Sequence, residues 1–264
     1  MKRAAADAAL THGTGAGASR LVTGDHPLLE ALERRLAKLK GTEAACVFGS
    51  GYLANAGIIP TFAGSADALF IDELAHACIW AGARLSGART FAFRHNDAAH
   101  LAALLAEHRA SARHALVATD GVFSMDGDIA PLDRLSAACA AHDAWLLADD
   151  AHAVGVLGGG RGTAALFPAA RVDLQMGTLS KALGGYGGYL CATGPVVDLI
   201  KTRARTLVYS TGLPPSAAAS AIAALDIVEA DPALCATPLA RARQFAELAG
   251  LPPAQSPIVA VVLG

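Results

Sequence analysis

Short apolar runs alternate with helix-length amphipathic segments along most of this chain, and that alternation narrows the fold more than any single motif. Strand-like runs are expected at 44–48, 68–71, 90–93, 114–119, 145–149, 172–176 and 188–193. Helical stretches lie between most of them, such as 97–108 after Asn96 and 131–143 after Pro131. Ahead of them, 26–40 reads as a helix. Pro27 stands early, Leu28, Leu29, Leu32, Leu36 and Leu39 form one stripe, and Gly41 stops it. Strands separated by helices imply an α/β fold with a mostly parallel sheet covered by helices on both faces.

The pattern changes at Pro214-Pro215, after which the alanine-rich 216–229 reads as a long helix. Beyond Gly250-Leu251-Pro252-Pro253, the apolar run 257–263 reads as a single strand. Three segments are therefore expected: 1–43, an N-terminal segment and helix; 44–213, a large domain; and 214–264, a connecting helix with the first strand of an incomplete C-terminal domain.

Residues 44–66 and 206–225 carry no charge and are long enough to span a bilayer. Gly, Pro, Ser, Thr or Asn interrupt both, so a buried α/β core explains them better. With 53% hydrophobic and 17% charged residues, the composition excludes a disordered chain. A net charge of −2 offers no attraction to nucleic acid or an anionic membrane. Five dispersed cysteines without a C-x-x-C pair read as reduced thiols of a cytoplasmic protein. The basic start is broken by Asp7 and Thr11-His12, so no targeting segment is expected.

The chemistry gathers at strand ends, where open α/β sheets bind ligands. Asp149 closes the run Trp145-Leu146-Leu147-Ala148 and opens Asp149-Asp150-Ala151-His152. Lys181 follows Thr178-Leu179-Ser180, just beyond the alternating Val172, Leu174 and Met176. Small and apolar neighbours at 182–188 argue against an ordinary solvent-exposed lysine. A lysine amine condenses with an aldehyde, and a carboxylate keeps a pyridine nitrogen protonated; together they describe a pyridoxal phosphate (PLP) site. Gly49-Ser50-Gly51-Tyr52 follows a strand and opens a helix, and exposed amides at a helix N-terminus bind phosphate well. His76 offers a ring to stack on a flat cofactor, and Ser124 a hydroxyl for a phenolic oxygen.

Each piece has a plainer reading. Asp149 could cap a turn, His76 and His152 could be structural, Ser124 a turn former, and Gly51-Tyr52 a tight βα turn. Asp149, Asp150 and His152 could also hold a metal in a hydrolase, although no ligand-type spacing supports it. Thr178 and Lys181 resemble an S-x-x-K pair, but the companion S-D-N and K-T-G elements are missing.

With these residues in view, the chain resembles the α-oxoamine synthases, PLP enzymes of the aspartate-aminotransferase type (fold type I). The likeness covers nearly the whole chain and is strongest at 120–128, 149–155 and 178–188. The stretches GTGAGASRLVTGDH (13–26), GGYGGYLC (184–191) and YSTGLPP (209–215) are similar to the 8-amino-7-oxononanoate synthase branch of biotin synthesis. They favour it over the 2-amino-3-ketobutyrate ligase branch.

The resemblance implies that Lys181 holds PLP and moves the Cα proton. It pairs Asp149 with the pyridinium nitrogen, stacks His76 on the ring, and brings His152 and Ser124 to the phenolic oxygen. Thr178, Gly51 and Tyr52 would surround the phosphate and cofactor. The implied reaction is decarboxylative condensation of L-alanine with a pimeloyl thioester, on CoA or a carrier protein, in a cytoplasmic homodimer. Family members also have an earlier N-terminal segment and a C-terminal arginine that holds the substrate carboxylate. Arg241 and Arg243, the last arginines here, do not fit that motif. A second reading from another class is therefore a truncated scaffold that binds PLP or a partner without turnover.

Overall fold

The computed structural model describes residues 1–263. The chain opens with helix α1 (Lys2–His12), which the sequence reading did not anticipate, followed by α2 (Pro27–Lys40). Proline takes the first turn of α2, His26 Nδ1 accepts from the Leu28 amide, and Gly41 closes the helix at φ +68. Strand β1 (Ala44–Phe48) then leads into α3 (Gly51–Phe62), and β2 (Ala68–Asp72) into α4 (Ala77–Ser86). Next come β3 (Arg89–Phe93) with α5 (Ala98–His108), β4 (Ala115–Asp120) with α6 (Leu132–Ala141), and β5 (Trp145–Asp149). Strands β6 (Leu174–Thr178) and β7 (Gly188–Ala192) precede α7 (Gly194–Arg203), the single-turn α8 (Arg205–Val208), α9 (Pro215–Ala230) and α10 (Pro232–Leu248).

The seven strands form one sheet in the order β1-β7-β6-β5-β4-β2-β3. Strands β3, β2, β4, β5 and β6 run parallel, while β7 lies antiparallel to both β6 and β1. Alternating side chains divide between the two faces. Cys46 and Phe48 of β1, Leu69 and Ile71 of β2, Leu147 of β5 and Met176 of β6 pack with α3, α4, α7 and α8 on one face. Ala45, Val47, Tyr189 and Cys191 pack with α2 and α9 on the other. Phe70, Val117, Leu146 and Ala148 share that second face with α5 and α6. The uncharged stretch 44–66 is thus β1 and the buried α3. Among the described residues no helix is long and apolar enough to cross a membrane.

The expected strand at 257–263 does not form: the described residues there lie outside helix and strand. Pro257 has no amide to donate, the Ile258 amide is taken by Ser256 Oγ, and no neighbouring strand meets this segment. Apolar content without a pairing edge does not make a β-strand. Ile258 instead packs with Val122, Val156 and Leu239, while Val259 joins Ala242 and Ala246.

Candidate active site

The parallel strands point their carboxyl ends to one rim, and β2 marks a switch in direction, with β3 on one side and β4 on the other. On that rim a cavity of about 250 Å³ is lined by residues from five connections. Gly51 and Tyr52 come from the start of α3, His76 from the end of the β2–α4 turn, and Asp120 from the tip of β4. Asp149 and His152 follow from β5, and Thr178 and Lys181 from β6.

Asp149 is 5% exposed and forms the floor. The amide of Ala151 donates to its Oδ1 at 2.9 Å, and Asn55 Nδ2 donates to Oδ2 at 2.7 Å. Burial raises the Asp149 pKa, while those two donors oppose the shift by favouring the charged form. Asp120 stands beside it in register across β4 and β5. Burial, then the Asp149 charge, hold Asp120 well above the ordinary carboxylate range. Two close donors thus favour the charged form of Asp149, whereas Asp120 accepts, among the described residues, only from the His76 amide at 3.3 Å.

At the mouth, Lys181 Nζ lies 2.7 Å from His152 Nε2. The Lys181 side chain is exposed, contrary to the expectation drawn from its small and apolar neighbours. Gly184 at φ +59 and Gly187 at φ +127 carry the chain away from it, so the lysine stands on the rim of the cavity rather than inside the core. Partial desolvation at the amine lowers its pKa, opposed by Asp149, Asp120 and Cys78. His152 is pushed down to about 4, first by burial and then by the neighbouring basic side chains, Lys181 foremost.

The α3 end of the cavity is built for an anion. Ser50 caps the helix by accepting from the Leu53 amide, and the first-turn amides of Gly51 and Tyr52 have no intrahelical acceptor. Thr178 Oγ1 is buried beside them without a hydrogen-bond partner. A β-carbon on Gly51 would come within 2.4 Å of Thr178 Cγ2, and one on Gly188 within 2.6 Å of the Gly51 nitrogen. Only glycine leaves that cradle open. A buried carboxylate at the floor, free amides with an orphaned hydroxyl, and a lysine at the mouth fit the pyridine nitrogen, phosphate and aldehyde of PLP.

Seven of the eight sequence candidates (Gly51, Tyr52, His76, Asp149, His152, Thr178 and Lys181) line this one cavity. Ser124 does not line it. It lies in the turn between the bridged Val122 and Ile129, and Val122 reaches the cavity in its place. Asp150 turns away altogether. Lys40 Nζ reaches its Oδ2 at 2.5 Å, the Thr163 amide donates to both its oxygens, and both ion-pair side chains are buried. Three participants were missed: Asn55, Cys78 and Asp120. Asn55 could have been noticed as a lone carboxamide one turn past Gly51 in an uncharged segment. Asp120 ends its strand just as Asp149 does.

The chain matches the Aminotransferase class I and II family over residues 1–256. A protein of Caulobacter sp. (strain K31) is 74% identical over 263 residues, which is 99% of this chain and 69% of that one. The 8-amino-7-oxononanoate synthase of Methylocella silvestris is 65% identical, covering 100% of this chain and 75% of its own length. Among solved structures, the serine palmitoyltransferase of S. paucimobilis with a bound PLP–myriocin aldimine superimposes with a TM-score of 0.92 at 31% identity. That match covers 100% of this chain and 70% of the other.

Proposed function

Because the chain belongs to the class I and II aminotransferase family and, within it, to the PLP-dependent α-oxoamine synthases, we propose that this acyltransferase makes 8-amino-7-oxononanoate from L-alanine and a pimeloyl thioester. The observation that carries the reading is the convergence of Asp149, Thr178, Lys181 and the α3 amides on one cavity, together with 65% identity to a synthase of that name.

PLP, when bound, supplies an electron sink for the alanine Cα. Lys181 Nζ would hold its aldehyde, and the free amine would serve as the base at Cα. Its lowered pKa keeps more of the amine free to accept a proton. Neutral His152, 2.7 Å away, accepts a hydrogen bond from the ammonium form and orients it. Asp149 would keep the ring nitrogen protonated, and His76 would stack over the ring. The amides of Gly51 and Tyr52 and the Thr178 hydroxyl would bind the phosphate. In the overall reaction Cα bonds to the thioester carbonyl carbon, the thiolate leaves, the carboxyl group leaves as CO₂, and a proton takes its place.

We place the reaction in a cytoplasmic homodimer, in keeping with five free buried thiols and the exposed apolar side chains Leu21, Val22 and Tyr209. The test supplies PLP, L-alanine and pimeloyl-CoA and measures release of free CoA and CO₂. Equal yields of both support the reading. Faster turnover of glycine with acetyl-CoA, or of serine with palmitoyl-CoA, would transfer the chain to another branch. PLP binding with no turnover of any pair would make it a scaffold.

A further inference from the structure

Asn55 sits one helical turn beyond Gly51, on the same face of α3, and has no exposed surface. Both of its amide hydrogens are engaged. Nδ2 is 2.7 Å from Asp149 Oδ2 and 3.1 Å from Cys78 Sγ. The thiol lies 2.8 Å from His76 Nδ1, and that nitrogen also accepts from the Cys78 amide at 3.2 Å. Burial pushes the Cys78 pKa up to about 12, so the sulfur keeps its hydrogen and can donate it. A ring nitrogen that accepts carries no proton of its own, and neutral His76 therefore holds its proton on Nε2. Hydrogen bonds thus run in one direction from amide to thiol to imidazole, and separately from amide to carboxylate.

The carboxamide orientation follows from the same chemistry. Flipped, its oxygen would face the Asp149 carboxylate, setting acceptor against acceptor in a buried site. Unflipped, Asn55 Oδ1 has no hydrogen-bond partner. Leaving a buried acceptor unsatisfied is costly, so an arrangement that keeps it serves the donors instead.

We propose that Asn55 is a positioning residue of the reaction, holding Asp149 charged and aimed at the cavity and, through Cys78, setting the tautomer and plane of His76. One side chain would then govern both groups assigned to the pyridoxal ring. The proposal rests on the assignment of Asp149 to the ring nitrogen.

Without the amide, Asp149 keeps one donor in a site where burial already disfavours its charge. More of it becomes neutral, and the ring nitrogen loses its proton more readily. A positive ring nitrogen repels the proton on the conjugated imine nitrogen. Its loss lets that proton stay to higher pH, so the visible absorbance band should titrate at a higher midpoint.

The experiment compares PLP-loaded wild type, Asn55→Leu, Asn55→Ala and Asp149→Asn. It records the pH midpoint of the visible band, the dissociation constant for PLP and the Tm of each PLP-free protein. Expected for the Asn55 variants is an upward midpoint shift with PLP affinity weakened about tenfold to a hundredfold, the size of one hydrogen bond to a charged group. If leucine prevents folding, Asn55→Ala carries the measurement, since it adds no bulk and favours helix. A wild-type midpoint in the Asn55 variants overturns the proposal, including the case where affinity and Tm fall together. If Asp149→Asn itself titrates like wild type, the ring-nitrogen assignment fails and the role of Asn55 falls with it.

Discussion

At the scale of single residues, the rim of the cavity is governed by a contest between burial and charge. Lys181 and His152 are two basic groups within hydrogen-bonding distance, and neither can hold a positive charge without disfavouring the other. The chemistry assigned to Lys181 depends on its amine alone. Lys181→Ala is expected to abolish the visible band formed on adding PLP while leaving the far-UV circular dichroism unchanged. A borohydride-reducible PLP adduct persisting in this cavity would contradict that. His152 gives a pH prediction of definite sign. Its pKa is lowered from 6.5 to about 4 in the folded protein, so between those values the unfolded chain binds the proton and the folded chain does not. Its contribution is complete above pH 6.5 and declines as pH falls toward 4, softened because the ring is only half-buried. Tm should fall over that window, and His152→Gln should flatten the slope. A slope unchanged in that variant would assign the pH dependence to other groups.

At the scale of elements, the site depends on how α2 is tied to the loop after β5. Lys40, at the last position of α2, reaches across 110 positions to Asp150 and also donates to the Arg161 carbonyl. The loop closes tightly around that ion pair. A β-carbon on Gly162, at φ +95, would lie 2.2 Å from Asp150 Oδ2 and 2.7 Å from Lys40 Nζ. Removing one partner of a buried pair strands the other charge, so Lys40→Met should cost about 3–5 kcal/mol of stability. Urea unfolding checks this, and a loss under about 1 kcal/mol would mean that the Thr163 amide alone satisfies Asp150. Because Asp149 and His152 flank the same turn, the variant should also weaken PLP binding.

At the scale of the whole molecule, the surface beside the N-terminal segment carries exposed apolar side chains. A bridge between Ser19 and Thr211 joins residues near 20 to those near 210, bringing Leu21 and Val22 into one region with Tyr209. Each of the three is more than half exposed, and apolar surface left in water is disfavoured. Light scattering should give about twice the 26.7 kDa chain mass, and a Val22→Glu, Tyr209→Glu double variant should return it toward one chain. A wild-type mass of one chain would rule out the homodimer.

How much of this was legible in the linear chain varied with the range of the interaction. Every strand through β7 was found within two residues of its observed ends, because apolar periodicity is local and survives without tertiary context. Seven site candidates were legible for a related reason. In a parallel sheet each strand end leads to the same rim, so a residue's place after its strand already locates it. Apart from α1 and Ser124, the failures were features that need a partner distant in sequence. The run 257–263 has a strand's composition and no edge to pair with. Asp149 and Asp150 are adjacent in the chain, yet Lys40 draws one aside while Asn55, 94 positions away from the other, holds it in the cavity. Local chemistry determined the elements and the order in which they meet the rim. Burial and long-range hydrogen bonds, which exist only once the sheet has formed, decided which of two neighbouring aspartates faces the cavity.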